Sequence, residues 1–316
     1  MNRSVTVRAP GKINLQLAVG PVGDDGYHPL ATVFQAVDLY ETVTATERDD
    51  NEIVITVEAS RSLGIDPATV PTGADNLAAR AAVALREAYG VEAGVSLHIR
   101  KGVPVAGGMA GGSADAAAAL LACAEVWDLG ATREGLHEVA ATLGADVPFG
   151  LHGATAVGLG RGSDLSPAMA RGEFHWVLAT QSSGLSTPEV YAMFDTLHDA
   201  EADAASGTAP SDPRISQDIM TALMAGDAVR LGDALSNDLQ PAALVLAPHL
   251  ERVLGAALEA EALGVMVSGS GPTVAALARS RQHALAIAAH LRAAEVADTV
   301  LAASAPAPGA TIIAAP

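Results

Sequence analysis

Apolar and polar residues alternate along the first sixty positions of the chain. Val5–Arg8 and Ile13–Val19 read as short strands and Thr32–Val37 as a third, with turn-rich Pro21–Tyr27 between the last two. Glu41–Glu47 and Glu52–Glu58 alternate as a half-buried antiparallel pair would. The period then lengthens. Leu77, Ala81, Leu85 and Tyr89 fall near one face of a helix over Asp75–Tyr89, which Gly90 ends. Val95–Arg100 is another strand. It feeds a glycine-rich segment and then helices at Ser113–Glu125 and Thr132–Leu143. Residues 143–153, LGADVPFGLHG, read as a loop and short strand, and Thr155–Gly158 as the next strand.

The pattern breaks over Arg161–Arg171, rich in Gly, Ser and Pro. Beyond it come a strand at His175–Thr180, a helix at Pro188–Leu197 and an acidic surface loop at Asp199–Pro213. Helices follow at Ile215–Ala225, Ala228–Leu235 and Leu250–Glu261. Strands at Val265–Ser268 and Thr273–Leu277 flank a second glycine turn, and a helix at Gln282–Ala294 and a strand at Thr299–Ala303 complete the pattern. Strands first, then mixed elements without a steady βαβ rhythm, predict an α+β protein of two lobes, residues 1–166 and 167–316, with a ligand cleft between them.

Composition sharpens this picture. Half of the 316 residues are apolar but only 3% are aromatic, so the core is built from Ala, Val and Leu. The net charge of -18 opposes nucleic acid and anionic membranes as partners. An anionic ligand would need local cations and oriented N–H groups. A single cysteine, Cys123, excludes an intrachain disulfide and reads as a small buried hydrophobe in a cytoplasmic protein. No signal-peptide core is present at the N-terminus, and no apolar run reaches the ~20 residues of a membrane span.

The richest segment is Pro104 to Leu121, PVAGGMAGGSADAAAALL. Gly107, Gly108, Gly111 and Gly112 let the backbone turn freely and approach a ligand, and Ser113 and Asp115 sit where a helix cap and first turn belong. Unpaired N–H groups at the positive end of a helix dipole make an anion site. Neither the P-loop nor the dinucleotide fingerprint fits the spacing. Tight packing of a Gly/Ala-rich helix against a sheet is the other reading. Lys12 is a lone cation in an apolar segment, either solvated at a strand edge or aimed into the cleft. Asn14 falls on the same side of that strand. Asp146 is a turn former or a functional acid. A Ser113–His28–Asp146 hydrolase lacks the nucleophile elbow.

Three segments, APGKINLQLAVGPVGDDGYHPLATVFQAVDLYE, the glycine segment above and VSGSGPTVAAL, resemble in order and spacing the three motifs of the GHMP small-molecule kinases. DGYH, FQAVDLYE and LGADVPF resemble one branch, which acts on the non-mevalonate route to isoprenoid precursors. Met109-Ala110 stands where Leu-Gly is usual, and Ala114 where a second Ser is usual. The resemblance implies a lobe like domain 2 of ribosomal protein S5 followed by a ferredoxin-like lobe. It implies transfer of phosphate from ATP, with Mg2+, to an alcohol bearing a cytidine diphosphate group, by a monomer or weak homodimer. Asp146 would be the catalytic base and Lys12 its electrostatic partner. ATP would lie on Pro104, Val105, Ala106, Gly107, Gly108, Met109, Ala110, Gly111, Gly112, Ser113 and Ala114, with Asn76 near adenine. Asn14, Tyr27, His28, Thr187 and Tyr191 would bind the acceptor, and Gly269, Ser270 and Gly271 would form a turn abutting the active site.

Overall fold

The protein is described by a computed structural model covering residues 3–59, 63, 65–105, 107–204 and 212–313, with the side chains of 199–204 left aside. The first sheet contains β1 (Ser4–Val19), β2 (Leu30–Arg48), β3 (Ile53–Ala59), β4 (Gly94–Lys101), β5 (Thr155–Gly160) and β6 (Asp164–Pro167). Two late strands return to it, β8 (Ser236–Asn237) and β12 (Thr311–Ile313), both paired with β1. The second sheet has the order β11 (Thr299–Ala305), β7 (Phe174–Thr180), β10 (Val274–Ala278), β9 (Gly264–Val267). Helices α1 (Leu77–Tyr89), α2 (Gly111–Val126), α3 (Arg133–Leu143) and α4 (Val147–His152) belong to the first half of the chain. The second half contributes α5 (Thr187–Ala204), α6 (Gln217–Ala225), α7 (Ala228–Ala234), α8 (Gln240–Leu246), α9 (Leu250–Glu259) and α10 (Arg281–Ala293).

Several expectations are corrected here. The two N-terminal strand segments are one strand, and Thr32–Val37 and Glu41–Glu47 are likewise one, because Ala9 to Lys12 keep partners in β2 across a register shift at which Asp38 and Leu39 have none. Glu41–Glu47 and Glu52–Glu58 do not pair. β4 lies between them, antiparallel to β2 and parallel to β3, because α1 supplies the crossover that a parallel β3–β4 pair requires. Residues 147–152 are helical rather than a strand, opened by Pro148 in the first turn. α5 runs to Ala204, through the start of the expected acidic loop, and residues 205–211 of that loop lie outside the described residues. α8, β6, β8 and β12 were not expected. Each is seven residues or shorter, too brief for periodicity to reveal.

β1 passes from one core to another at the Pro10/Gly11 step, opposite which β2 carries two residues without β1 partners, Asp38 and Leu39. Before it, Val7 and Ala9 pack into the core beneath α1 and α2. After it, Ile13 and Leu15 pack into a second core with Phe174, Trp176 and Leu178 of the other sheet. The side-chain alternation of β1 continues unchanged through this point, and Lys12 and Asn14, on alternate positions, line the groove beside the head of α2. The two sheets share that second core. The far face of the second sheet, Val177, Ala179, Val274 and Ala276, is covered by Val190 and Phe194 of α5 and apolar residues of α8 to α10.

Candidate active site

α2 begins at Gly111, two residues earlier than the sequence suggests, so Ser113 lies inside its first turn and is not the cap. The cap position is Ala110, left-handed at φ 58°, with no side-chain capping bond. The first N–H groups of α2 are therefore not consumed by a capping side chain and open onto a cavity of about 350 Å³ lined by Asn76, Lys101, Gly107, Gly108, Gly111, Gly112 and Ser113. Tight packing is also present. A Cβ on Gly150 of α4 would lie 2.7 Å from the Ala117 Cβ of α2. The alanines thus bring α4 against α2 and set Asp146, at the head of α4, beside the head of α2.

Asp146 caps nothing. Its side chain makes no bond to the α4 backbone and is about one-third exposed, and its Oδ2 lies 3.7 Å from Lys12 Nζ. Lys12 is buried. Nζ donates to Asn14 Oδ1 at 2.7 Å, Asn14 Nδ2 donates to Thr32 Oγ1 at 2.8 Å, and Thr32 donates to the Gln16 carbonyl at 2.6 Å. Each link of this relay runs from a donor to an acceptor, which orients the ammonium and leaves it further N–H donors for the groove. The Lys12 N–H donates to the Met109 carbonyl at 3.1 Å and so ties β1 to the glycine segment.

The second glycine turn closes the same wall. Gly108 has φ +72°, and a Cβ there would lie 2.4 Å from the Ser268 carbonyl oxygen. A Cβ on Gly269, φ +60°, would crowd Asn14 Oδ1 and Lys12 Nζ at 3.3 and 3.4 Å. The two glycine segments meet backbone to backbone, which a side chain would prevent. Asn237 braces the turn, donating through Nδ2 to the carbonyls of Val267 and Gly269, both at 2.8 Å. Ser270 and Thr187 are joined through their hydroxyls at 2.9 Å.

A cavity of about 390 Å³ holds Lys12, Asn14, Asp146, Gly269 and Ser270 and shares Gly108, Ala110 and Ser113 with the first cavity. A third, of about 780 Å³, holds Tyr27 and His28 and shares Thr187, Tyr191 and Arg161 with the second. The three form one continuous groove, with the Lys12–Asp146 pair in its middle section. His28 and Tyr191 lie with ring centroids 5.1 Å apart; His28 Nδ1 is 2.8 Å from the Gly20 carbonyl and Nε2 is 3.5 Å from Asp195 Oδ1. His28 is thus engaged away from Ser113, contrary to what a hydrolase triad needs. Burial first, then the Asp146 charge, pushes the Tyr191 hydroxyl up to about 12, so the phenol stays neutral.

Some expected residues sit behind the groove. The Met109 side chain is buried in the core shared by the sheets, and Ala114 packs among the helices. Gly271 faces Val267 and Leu185. Ala106 lies outside the described residues. Asn76 has both ends of its amide engaged, accepting from Ala78 N–H and donating to the Pro71 carbonyl, and it borders the first cavity.

Sequence reading passed over three residues of the groove and its floor. Lys101 is buried, 2.7 Å from Glu41 Oε1 and hydrogen-bonded to Asp115 Oδ2, while Glu41 Oε2 accepts from the Gly102 N–H. Asp115 is consequently a buried ion-pair partner, not only a first-turn residue. One ammonium cannot neutralise two carboxylates. Burial pushes Glu41 up to about 8 and Asp115 up to about 6, while for Lys101 the two carboxylates outweigh burial and raise it. A lysine two residues past a strand's last apolar position, just before the glycines, was the available signal. Arg161, the third, stacks on Tyr27 with its guanidinium carbon 3.6 Å from the ring centroid and pairs with Asp25 at 2.9 Å. It stood within what read as a linker.

Comparison with known proteins agrees with this geometry. Residues 76–154 match the GHMP kinases N terminal domain and residues 219–297 the GHMP kinases C terminal domain. The 4-diphosphocytidyl-2-C-methyl-D-erythritol kinase of Thermobifida fusca is 51% identical over 313 residues, covering 98% of both chains. This chain belongs to the GHMP kinase family. The kinase of the same name from Streptomyces avermitilis is 51% identical over 98% of this chain and all of its own. A crystal structure of 4-(cytidine 5'-diphospho)-2C-methyl-D-erythritol kinase superposes with a TM-score of 0.75 at 30% identity, covering 97% of this chain and 100% of that one. As a GHMP kinase the chain is an ATP-dependent small-molecule kinase. The first cavity is where GHMP kinase membership and an anion-binding helix end coincide.

Proposed function

We propose that this chain transfers the γ-phosphoryl group of ATP to the 2-hydroxyl of 4-diphosphocytidyl-2-C-methyl-D-erythritol, giving the 2-phosphate and ADP. The observation that carries the reading is the continuous groove, with an anion-binding helix end at one extremity, the Lys12–Asp146 pair in the middle and an aromatic pocket at the other. Nucleotide phosphates lie on the N–H groups heading α2, with the base toward Asn76. The acceptor's cytosine lies against Tyr27 and Tyr191, and its ribose-phosphate portion near Thr187. Asn14 orients the erythritol end. His28, held by the Gly20 carbonyl and set beside Tyr191, lies at the base edge. Asp146 takes the hydroxyl proton as the oxygen attacks the γ-phosphorus, and ADP leaves from the opposite side. Lys12 holds Asp146 ionised and stabilises charge on the transferring group.

Magnesium, when bound, neutralises the phosphates during transfer. Among the described residues no group of three or more His, Cys, Asp or Glu side chains could hold a metal ion. This fits a cation carried mainly by nucleotide phosphates, with the Ser113 hydroxyl as a protein contact. We assign residues 1–166 and 167–316 to the two lobes, with β8 and β12 of the second segment returning to the first sheet. The test is ADP release with Mg-ATP and, separately, the cytidyl acceptor, mevalonate and homoserine. ADP formed only with the cytidyl acceptor, and lost in Asp146→Asn, is the expected result. Turnover of another alcohol in its place overturns the acceptor assignment.

A further inference from the structure

An acceptor that spans the second and third cavities carries a diphosphate between its base and its reactive hydroxyl. The wall around that position is acidic. Asp25, Asp146 and Asp195 flank it, on a chain of net charge -18. Among the described residues, Lys12 and Arg161 are the only Lys or Arg lining the two cavities, and of these two Arg161 lines both. Lys12 is committed to Asn14 and Asp146 at the reaction end. Arg161 is committed only in part. One terminal nitrogen donates to Asp25 Oδ2, and the flat face rests on Tyr27. The side chain is about half exposed, and a guanidinium carries five N–H donors in a planar fork. Asp25 and Tyr27 belong to the loop between β1 and β2, and Arg161 follows β5. Arg161 is thus held from two sides while further donors face the groove.

We infer that the Arg161 guanidinium is the diphosphate-binding group of the acceptor site, steadied by Tyr27 and Asp25. This rests on the acceptor reading above. Fork geometry matches adjacent phosphate oxygens, and ring stacking lowers the freedom the side chain must give up on binding.

Calorimetric titration of the full-length protein with CDP and with cytidine separates the possibilities, repeated on Arg161→Met and Arg161→Lys. The native protein should bind CDP more tightly than cytidine, since only CDP carries the diphosphate. Arg161→Met should lose about tenfold or more in CDP affinity while cytidine affinity shifts by no more than ~3-fold. Arg161→Lys, which keeps the charge without the fork, should fall between. If CDP and cytidine weaken together in Arg161→Met, the side chain only supports Tyr27 and the assignment is wrong. If the native protein does not prefer CDP over cytidine, the reading of the acceptor cleft fails, and this assignment fails with it.

Discussion

Lys12 and Asp146 are separated by most of the first half of the chain and meet at 3.7 Å. Neither is held for packing's sake: Asp146 caps no helix, and Lys12 takes its place through a relay of amide and hydroxyl groups. Asp146→Asn should lower kcat by roughly 10²–10⁴-fold, the usual weight of general-base catalysis, with the melting temperature little changed. Lys12→Met should lower kcat as well. Because the two groups act on one proton and one transferring group, the double variant should be far less impaired than the product of the single losses. Multiplicative losses in steady-state assays would show that they act independently.

At the scale of elements, the glycine segment matters through the backbone. Ala at position 108 would combine φ +72° with a Cβ 2.4 Å from the Ser268 carbonyl. Gly108→Ala should destabilise by about 2 kcal/mol or more in urea unfolding and weaken nucleotide binding with it. Beneath the segment, Glu41 of β2, Lys101 of β4 and Asp115 of α2 join three elements through buried charge. With its carboxyl raised from 4.5 to about 8, Glu41 makes the folded protein bind more protons than the unfolded chain between those values. This contribution to stability is fully present below the lower value and is lost as pH rises through the upper one. Asp115, raised in the same direction, adds to the trend. Melting temperature should therefore fall as pH is raised across that window, and Glu41→Gln should flatten the slope. A slope unchanged by Glu41→Gln would remove this residue as its source.

For the whole molecule, the decisive feature is the core the two sheets share. Within it the Trp176 indole N–H donates to Gln35 Oε1 at 3.1 Å, linking β7 to β2. Gln35→Leu strands that donor away from water and should cost roughly 1–3 kcal/mol, read by tryptophan fluorescence during denaturation. Unfolding should remain a single transition, since neither sheet keeps its inner face covered without the other. Two separate transitions would show that the lobes are independently stable.

Much of this was legible in the chain. Alternation and helical spacing located most strands and the long helices, because burial of one face imposes period directly on sequence. The glycine segment, Lys12 and Asp146 were visible because unusual residue types stand out against an Ala-rich background. Other features depended on distance through space. β4 inserts between β2 and β3 because a crossover helix makes parallel pairing available. The register shift opposite Pro10/Gly11 joins what read as separate strands, and α4 is too short to announce itself. Lys101 and Arg161 were passed over because their carboxylate and ring partners come to them only on folding. Sequence by itself determined which residue types were available for chemistry and much of their local conformation, since both are set by the side chains themselves. Tertiary structure decided which of them share a groove and which are buried as partners, because charge acts through space and only packing sets those distances.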